Sequence, residues 1–298
     1  MLTPKLNNSP YYSGATGNAM MGMSAIYTTF AHLLSSIMNR TTPDRFHLKP
    51  SPLHPSDCFS LPSPSSSQSR HIAIVTGSNT GIGYQTSLSL VERGYDVILA
   101  CRSRDKAEIA VKTINQHCQT KNADINCGKA IFLQPLDLTS YASVRSFASA
   151  FSEKYSSLHI LVNNAGLNSS GNGISQDGLD IVFQANSLGH YLLTKLLMPS
   201  LLRAKNKYEK DVGDGQEDEE EAGRIVNLSS TMHHFCKPDY ETSHTIQQTK
   251  YWEDCAKPGF SDNTYTESKL AAILFSMELN RRYNSLGVRA VSANPGAV

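Results

Sequence analysis

TGSNTGIG, Thr76 to Gly83, decides how the rest of this chain is read. It follows a short apolar run, His71 to Val75, and opens a helix-like segment that reaches Arg93. A strand, a glycine turn and a helix in that order make a cradle for phosphate. Gly77 permits the tight turn, Gly81 lets the backbone approach a pyrophosphate with no Cβ in the way, and Gly83 allows helix to pack closely on strand. Ser78 and Asn79 in the turn and the amides at the helix start, Ile82 among them, then face the anion, helped by the helix dipole. Alone, the motif reads equally well as an ordinary glycine turn; the strand before it and the helix after it favour the cradle.

Outward from this stretch, apolar runs alternate with helical patterns. HIAIV (71–75), DVILAC (96–101), AIFLQPLDL (130–138), LHILVNNAG (158–166), RIVNLSS (224–230) and VRAVSANPG (288–296) read as six strands, some with the turn that follows them. Between them fall helices over 83–93, ended by Gly94, over 106–116, over 143–155, over 179–204 and over 265–283. In 143–155 the apolar face is Val144, Phe147, Ala148 and Phe151. Strands alternating with helices predict an α/β, doubly wound parallel sheet in a single domain, with ligands beyond the carboxyl ends of the strands.

The chain has 298 residues, 40% hydrophobic, and a net charge of +1 from 27 basic and 26 acidic residues, which gives no electrostatic argument for a nucleic-acid partner. Six cysteines form no CxxC pair, so an intracellular, reducing compartment fits better than a disulfide scaffold. Residues 1–69 differ from the rest. Eight of the thirteen prolines lie there, and 51–69 is Ser/Pro-rich. Three readings of this extension stand side by side: an organelle-targeting peptide, a weak membrane anchor through residues 20–38, or a disordered tail. The domain is expected over 70–298, with insertions at 205–223 and 231–264. The first ends in an acidic run and reads as a solvated loop. The second holds Trp252, His233, His234 and His244 and reads as a loop bordering the active site; no metal-ligand spacing is visible, and no metal site is expected.

YTESK sets Tyr265 and Lys269 four residues apart, on one helix face. A phenol is a poor acid–base catalyst near neutral pH, and a neighbouring ammonium favours its phenolate, which suits proton exchange with a carbonyl or alcohol oxygen. The same spacing arises by chance on surface helices. The order of glycine cradle, NNAG, a serine at a strand end and YxxxK is what separates the two.

That combination resembles the short-chain dehydrogenase/reductase family from about His71 to Val298. ILACRSRDK, NSLGHYLLTKLL and SKLAAILFSMELNRR are most similar to its retinol-dehydrogenase-like and WW-domain-oxidoreductase-like branch; light-dependent protochlorophyllide reductase is a more distant relative. The resemblance implies a Rossmann fold and a catalytic set of Asn186, Ser230, Tyr265 and Lys269. Tyr265 becomes the general acid–base. Lys269 supports it and binds the nicotinamide ribose, Ser230 rather than Ser229 holds the substrate oxygen, and Asn186 holds a water linking Lys269 to solvent. Asn163, Ala165 and Gly166 are expected along the cofactor. Asp137 is expected at the adenine amino group, with Leu138 beside it, and Pro295 and Gly296 of NPG complete the cofactor-binding set. Plainer readings exist: a strand-end hydroxyl for Ser230, a turn-former for Asp137, a helix-interior amide for Asn186.

At the end of the second strand, where NAD enzymes usually carry an acid, the chain reads Ala100, Cys101, Arg102. A guanidinium there faces a 2′-phosphate, so NADP(H) is expected in preference to NAD(H). The implied activity interconverts a carbonyl and an alcohol on an apolar small molecule, retinoid-, steroid- or lipid-like, and relatives of this kind often form homodimers. Two departures weigh against the match. The span from Ser230 to Tyr265 is longer than is common, and the chain stops at Val298, before the family's substrate loop and last C-terminal strand. A nucleotide-binding protein with impaired catalysis is the first alternative, and a protochlorophyllide-reductase-like enzyme the second.

Overall fold

The computed structural model describes residues 70–120, 127–168, 173–204, 206–207, 220–221, 223–236, 245–260 and 264–296. The N-terminal extension with residues 20–38, His244 and most of the acidic insertion lie outside them.

Six strands form one parallel sheet: β1 (Ile72–Thr76), β2 (Asp96–Ala100), β3 (Ala130–Ile131), β4 (Ile160–Asn163), β7 (Arg224–Leu228) and β8 (Arg289–Ala293), in the spatial order β3-β2-β1-β4-β7-β8. A two-residue pair, β5 (Asn206–Lys207) with β6 (Glu220–Glu221), runs antiparallel outside it. The chain reverses direction across the sheet after β3, so β1 and β4 are neighbours at the switch point, where α/β folds place ligands.

The strands are continuous apolar runs because both faces are covered, and their alternation sorts side chains between two cores. Ile72, Ile74, Ile98, Ala100 and Leu161 join one core. Ala73, Val75, Val97, Leu99, Ile160 and Val162 join the other. The second is closed by α1 (Gly81–Glu92) and α2 (Arg104–Thr120). The first is closed by α3 (Tyr141–Lys154), by the long helical stretch after β4 and by the helix Thr264–Tyr283. On α3 the buried face includes Val144, Phe147, Ala148 and Phe151, as the spacing predicts. After α1, Gly94 takes a φ of 89°, a conformation that favours glycine.

The stretch after β4, α4, runs through Ile181–Phe183, a π-turn over Gln184–Leu188 and Gly189–Arg203. Asp180 caps it, accepting from Phe183 N at 2.8 Å. Inside it Gly189 passes so close to the preceding loop that a Cβ would lie 2.5 Å from the Leu138 carbonyl oxygen.

Two sequence expectations need correction. The third strand spans only two residues, not 130–138: the chain leaves the ladder after Ile131, with Pro135 unable to donate, and touches β2 again where Leu136 N bonds Cys101 O at 3.0 Å. The insertion after β7 is not simply a loop. It contains a 3₁₀ turn, Thr231–Phe235, and a helix, α5 (Thr245–Cys255), ahead of α6 (Thr264–Tyr283). Trp252 anchors α5, 1% exposed and stacked on Phe183 with centroids 6.4 Å apart. Just past α5, the Ala256 carbonyl accepts from Asp180 N at 2.9 Å, tying the insertion to the start of α4. Among the described residues no helix is long and apolar enough to cross a membrane.

Candidate active site

The glycine turn joins β1 to α1. Gly77 has a φ of 64° and Gly81 one of 55°. A Cβ on Gly77 would lie 2.9 Å from Ala165 Cα, and one on Gly83 would lie 2.4 Å from Asn164 Nδ2 and 2.5 Å from Gly77 O. A Cβ on Gly81 would meet no protein atom within 4 Å. Two of these glycines are therefore required by packing, and the third faces open space. Thr80, at the start of α1, makes no side-chain cap, so the first-turn amides are left for another acceptor. The residues present fit a dinucleotide phosphate at this turn.

The NNAG turn after β4 is locked onto the glycine turn. Asn164 Nδ2 donates to Thr76 O at 2.7 Å and Gly77 O at 3.3 Å, while the amides of Asn164 and Ala165 both donate to Thr76 Oγ1 at 2.9 Å. Asn163 turns the other way. Its Nδ2 donates to Thr194 Oγ1 at 3.0 Å and Asn227 Oδ1 at 2.8 Å, inside a buried polar layer. Asn164 and Thr76 carry no individual signal in the sequence, although both lie within its motifs; only the fold shows that they clamp one turn to the other.

On the opposite side of the site, α6 presents Tyr265, half-buried, and Lys269, buried. Lys269 Nζ lies 5.3 Å from the centroid of the Tyr265 ring and donates to Leu228 O at 3.1 Å. The amine is thus held beside the aromatic hydroxyl's ring and away from bulk water. Burial pulls Lys269 down to about 8. A Cβ on Gly166 would come within 3.2 Å of Asn186 Oδ1 and 3.6 Å of Lys269 Nζ, so the NNAG turn delivers its glycine between those two side chains.

Asn186 sits in the π-turn. Its Oδ1 accepts from Leu167 N at 2.7 Å, and its Nδ2 donates to Leu167 O at 2.9 Å and Ser268 Oγ at 3.0 Å. Oδ1 keeps a second acceptor site. At the end of β7 the two serines part company. Ser229 is buried and donates to Lys269 O at 2.8 Å, whereas Ser230 is half-buried at the head of the 3₁₀ turn and accepts from Met232 N at 3.3 Å. Ser229 braces α6, and Ser230 is the more exposed of the two hydroxyls.

The remaining expected residues lie around the carboxyl edge of the sheet. Ser78 is fully buried against Cys101, their Oγ and Sγ 3.3 Å apart; Asn79 and Ile82 are half-buried. Arg102 is exposed just past β2, while Arg104 lies over the Phe132 ring at 5.0 Å and pairs with Glu108 at 3.2 Å. Asp137 is half-buried, with one oxygen taken by Thr139 N at 2.9 Å and Thr139 Oγ1 at 2.6 Å, which is the turn-former's geometry. Leu138 is in the core. Pro295 and Gly296 are exposed past β8, where Gly296 N donates to Asn294 Oδ1 at 3.2 Å.

A model of the short chain dehydrogenase family matches residues 71–243, more than half of the chain. This protein belongs to the short-chain dehydrogenase/reductase family. Similar members include retinol dehydrogenase 11 of Mus musculus, 36% identical over 227 residues that cover 76% of this chain and 61% of the relative. Retinol dehydrogenase 13 of Homo sapiens is 37% identical over 223 residues, covering 75% and 57%. The chain thus spans about three-fifths of the length of the curated relatives it matches. Among solved structures, an uncharacterised protein from Mycobacterium paratuberculosis aligns with a TM-score of 0.55 at 30% identity, over 80% of this chain and 70% of that one. An NADP active-site complex of Pseudomonas aeruginosa RhlG aligns at 0.54 and 23% identity, over 76% and 72%, a likeness of fold.

Proposed function

We propose that this short-chain dehydrogenase/reductase is an NADP(H)-dependent oxidoreductase that interconverts a carbonyl and an alcohol on an apolar small molecule, with Tyr265 as general acid–base. The observation that carries the reading is the buried Lys269 amine, 5.3 Å from the Tyr265 ring centroid on the same helix and next to Gly166 of the turn clamped to the glycine cradle. The dinucleotide, when bound, supplies hydride chemistry. In reduction, the Tyr265 hydroxyl gives its proton to the substrate oxygen, and the Lys269 ammonium stabilises the phenolate that is left. Ser230 holds the same oxygen, and Asn186 sets the π-turn that flanks Lys269.

Two observations support the finer assignments. Arg102 stands exposed where an acid would select NAD, and Arg104 is held on Phe132 and Glu108, which leaves Arg102 to meet a 2′-phosphate. Met232 and Phe235, 40% and 68% exposed, follow Ser230 on the 3₁₀ turn, a surface that suits an apolar substrate, and the relatives named above are retinol dehydrogenases.

The test follows cofactor absorbance in mixtures of the purified chain, NADPH and aldehydes and ketones of increasing apolar length. Turnover is expected to rise with apolar length and to fall by about 10²–10⁴-fold in Tyr265→Phe. Arg102→Asp is expected to reverse the NADP/NAD ratio of kcat/KM. Nucleotide-induced thermal stabilisation with no turnover on any substrate would reject the oxidoreductase reading and leave a nucleotide binder.

A further inference from the structure

Between the two halves of the site lies a histidine that the mechanism above does not use. His190 is 4% exposed, at the start of the last segment of α4. Its Nδ1 is 3.1 Å from the Asn186 carbonyl oxygen, and its Nε2 is 3.0 Å from Thr76 Oγ1. A carbonyl oxygen only accepts, so Nδ1 carries the hydrogen and the neutral ring leaves Nε2 bare. Nε2 then accepts, and the single hydroxyl hydrogen of Thr76 points to it rather than to the Val162 carbonyl, which is farther at 3.3 Å. With its hydrogen so committed, Thr76 Oγ1 presents both lone pairs to the amides of Asn164 and Ala165, each at 2.9 Å. Burial brings the ring down to about 4, which keeps it neutral near pH 7, as a bare Nε2 requires.

We propose that His190 is a positioning residue that joins the dinucleotide-holding turns to the π-turn of Asn186, through a bare Nε2 on the Thr76 hydroxyl and an Nδ1–H on the Asn186 carbonyl. The inference rests on the oxidoreductase reading for what Asn186 and Lys269 do. Through Thr76, His190 fixes the turn that sets Gly166 beside Lys269. Through Asn186, it fixes the segment whose side chain braces Leu167 and Ser268 on the other side of the same amine. One ring thereby aligns the cofactor side of the site with the proton side, although it touches neither substrate nor dinucleotide.

The test separates the two nitrogens in the full chain. Asn places an amide NH₂ where Nδ1 stands, and Gln places an amide oxygen where Nε2 stands. His190→Asn therefore keeps the donor to Asn186 and loses the acceptor for Thr76, and His190→Gln does the reverse. For the loss of one buried hydrogen bond, His190→Asn is expected to raise the NADPH Kd, measured by calorimetry, about five- to tenfold, more than it lowers kcat. His190→Gln is expected to lower kcat by about the same factor, more than it raises Kd. Thr76→Val should raise Kd as His190→Asn does, with no further rise in the double variant, and Thr76→Ser should restore binding. Equal losses in Kd and kcat for the Asn and Gln variants, or no loss in either, would assign His190 to packing alone and overturn the proposal. If the unsubstituted chain binds NADPH without turnover, the oxidoreductase reading falls while the difference in Kd between the Asn and Gln variants still decides the role of His190. A chain that binds no NADPH overturns both.

Discussion

Two histidines are buried at opposite edges of the same sheet. His159 stands at the amino edge, just before β4; its Nδ1 accepts from Ile72 N at 3.0 Å, and its ring stacks on His71 at 4.2 Å. His190 stands at the carboxyl edge, bonded to Thr76 and Asn186. Burial brings both down to about 4, so acidity alone does not tell them apart. Their neighbours do. His159 closes the start of one strand against the next, whereas His190 bridges the carboxyl end of β1, at Thr76, and the π-turn of Asn186 inside α4. In a parallel sheet only the carboxyl ends converge on the switch point, so the same imidazole is a structural plug at one edge and a part of the site's frame at the other.

The contrast between the two edges is open to test at Lys269, at two glycines of the carboxyl edge and at His159. The largest effect is expected at Lys269. Lys269→Met should lower kcat by about 10²–10⁴-fold, the range for losing acid–base support. In the unsubstituted chain, activity that needs the ammonium should be present below about pH 8 and lost as pH rises through it, because burial has lowered that amine to about 8. A pH–rate profile checks this, and a flat alkaline limb would sink it.

Next comes the packing of the carboxyl edge. Gly83→Ala forces a Cβ against Asn164 Nδ2 and Gly77 O and should cost about 1–3 kcal/mol while removing NADPH-induced stabilisation. Gly81→Ala meets no protein atom within 4 Å, so without nucleotide it costs only the strain of its positive φ, about 1–2 kcal/mol, while its Cβ fills the space left for a pyrophosphate and should remove NADPH-induced stabilisation as well. Thermal melts without NADPH separate the two, with the larger loss at Gly83, and equal losses would deny Asn164 its clamping role.

The smallest effect on NADPH binding lies at the amino edge. Each histidine titrates near 6.5 when unfolded and near 4 when folded, so between those values the unfolded chain binds more protons. Stability is therefore lost as pH falls from about 6.5 to about 4, by up to about 3 kcal/mol per histidine. His159→Asn keeps an acceptor for Ile72 N and removes one of the two titrations. Chemical denaturation across that range should show a shallower loss, with the NADPH Kd unchanged. A shift in Kd would erase the distinction between the edges.

The sheet is legible in the chain because each central strand is an unbroken apolar run bounded by turn residues; DVILA in β2 and ILVN in β4 admit few other readings. The third strand reads too long, since IFLQPL is apolar enough for a strand yet holds a proline at its edge. Helix α5 escapes sequence reading for the opposite reason. TIQQTKYWEDC has too few apolar residues to show a period, and it is held by Trp252 and Cys255 packing into a core that other elements build. The site is legible as motifs, not as contacts. Asn163 and Asn164 are adjacent and chemically identical, but strand alternation sends the first into the buried layer and the second onto the glycine turn.

The order of the six sheet strands, the glycines that a tight turn demands, and the helix spacing that puts Tyr265 and Lys269 on one face are written in the chain, because these depend on local backbone sterics and on the repeat of apolar residues. Long-range packing alone buries Lys269 beside that ring, turns Ser229 onto the Lys269 carbonyl and joins His190 to Thr76 and Asn186. Those outcomes depend on which groups are brought together from distant parts of the chain and shut away from water, where each buried donor must find an acceptor.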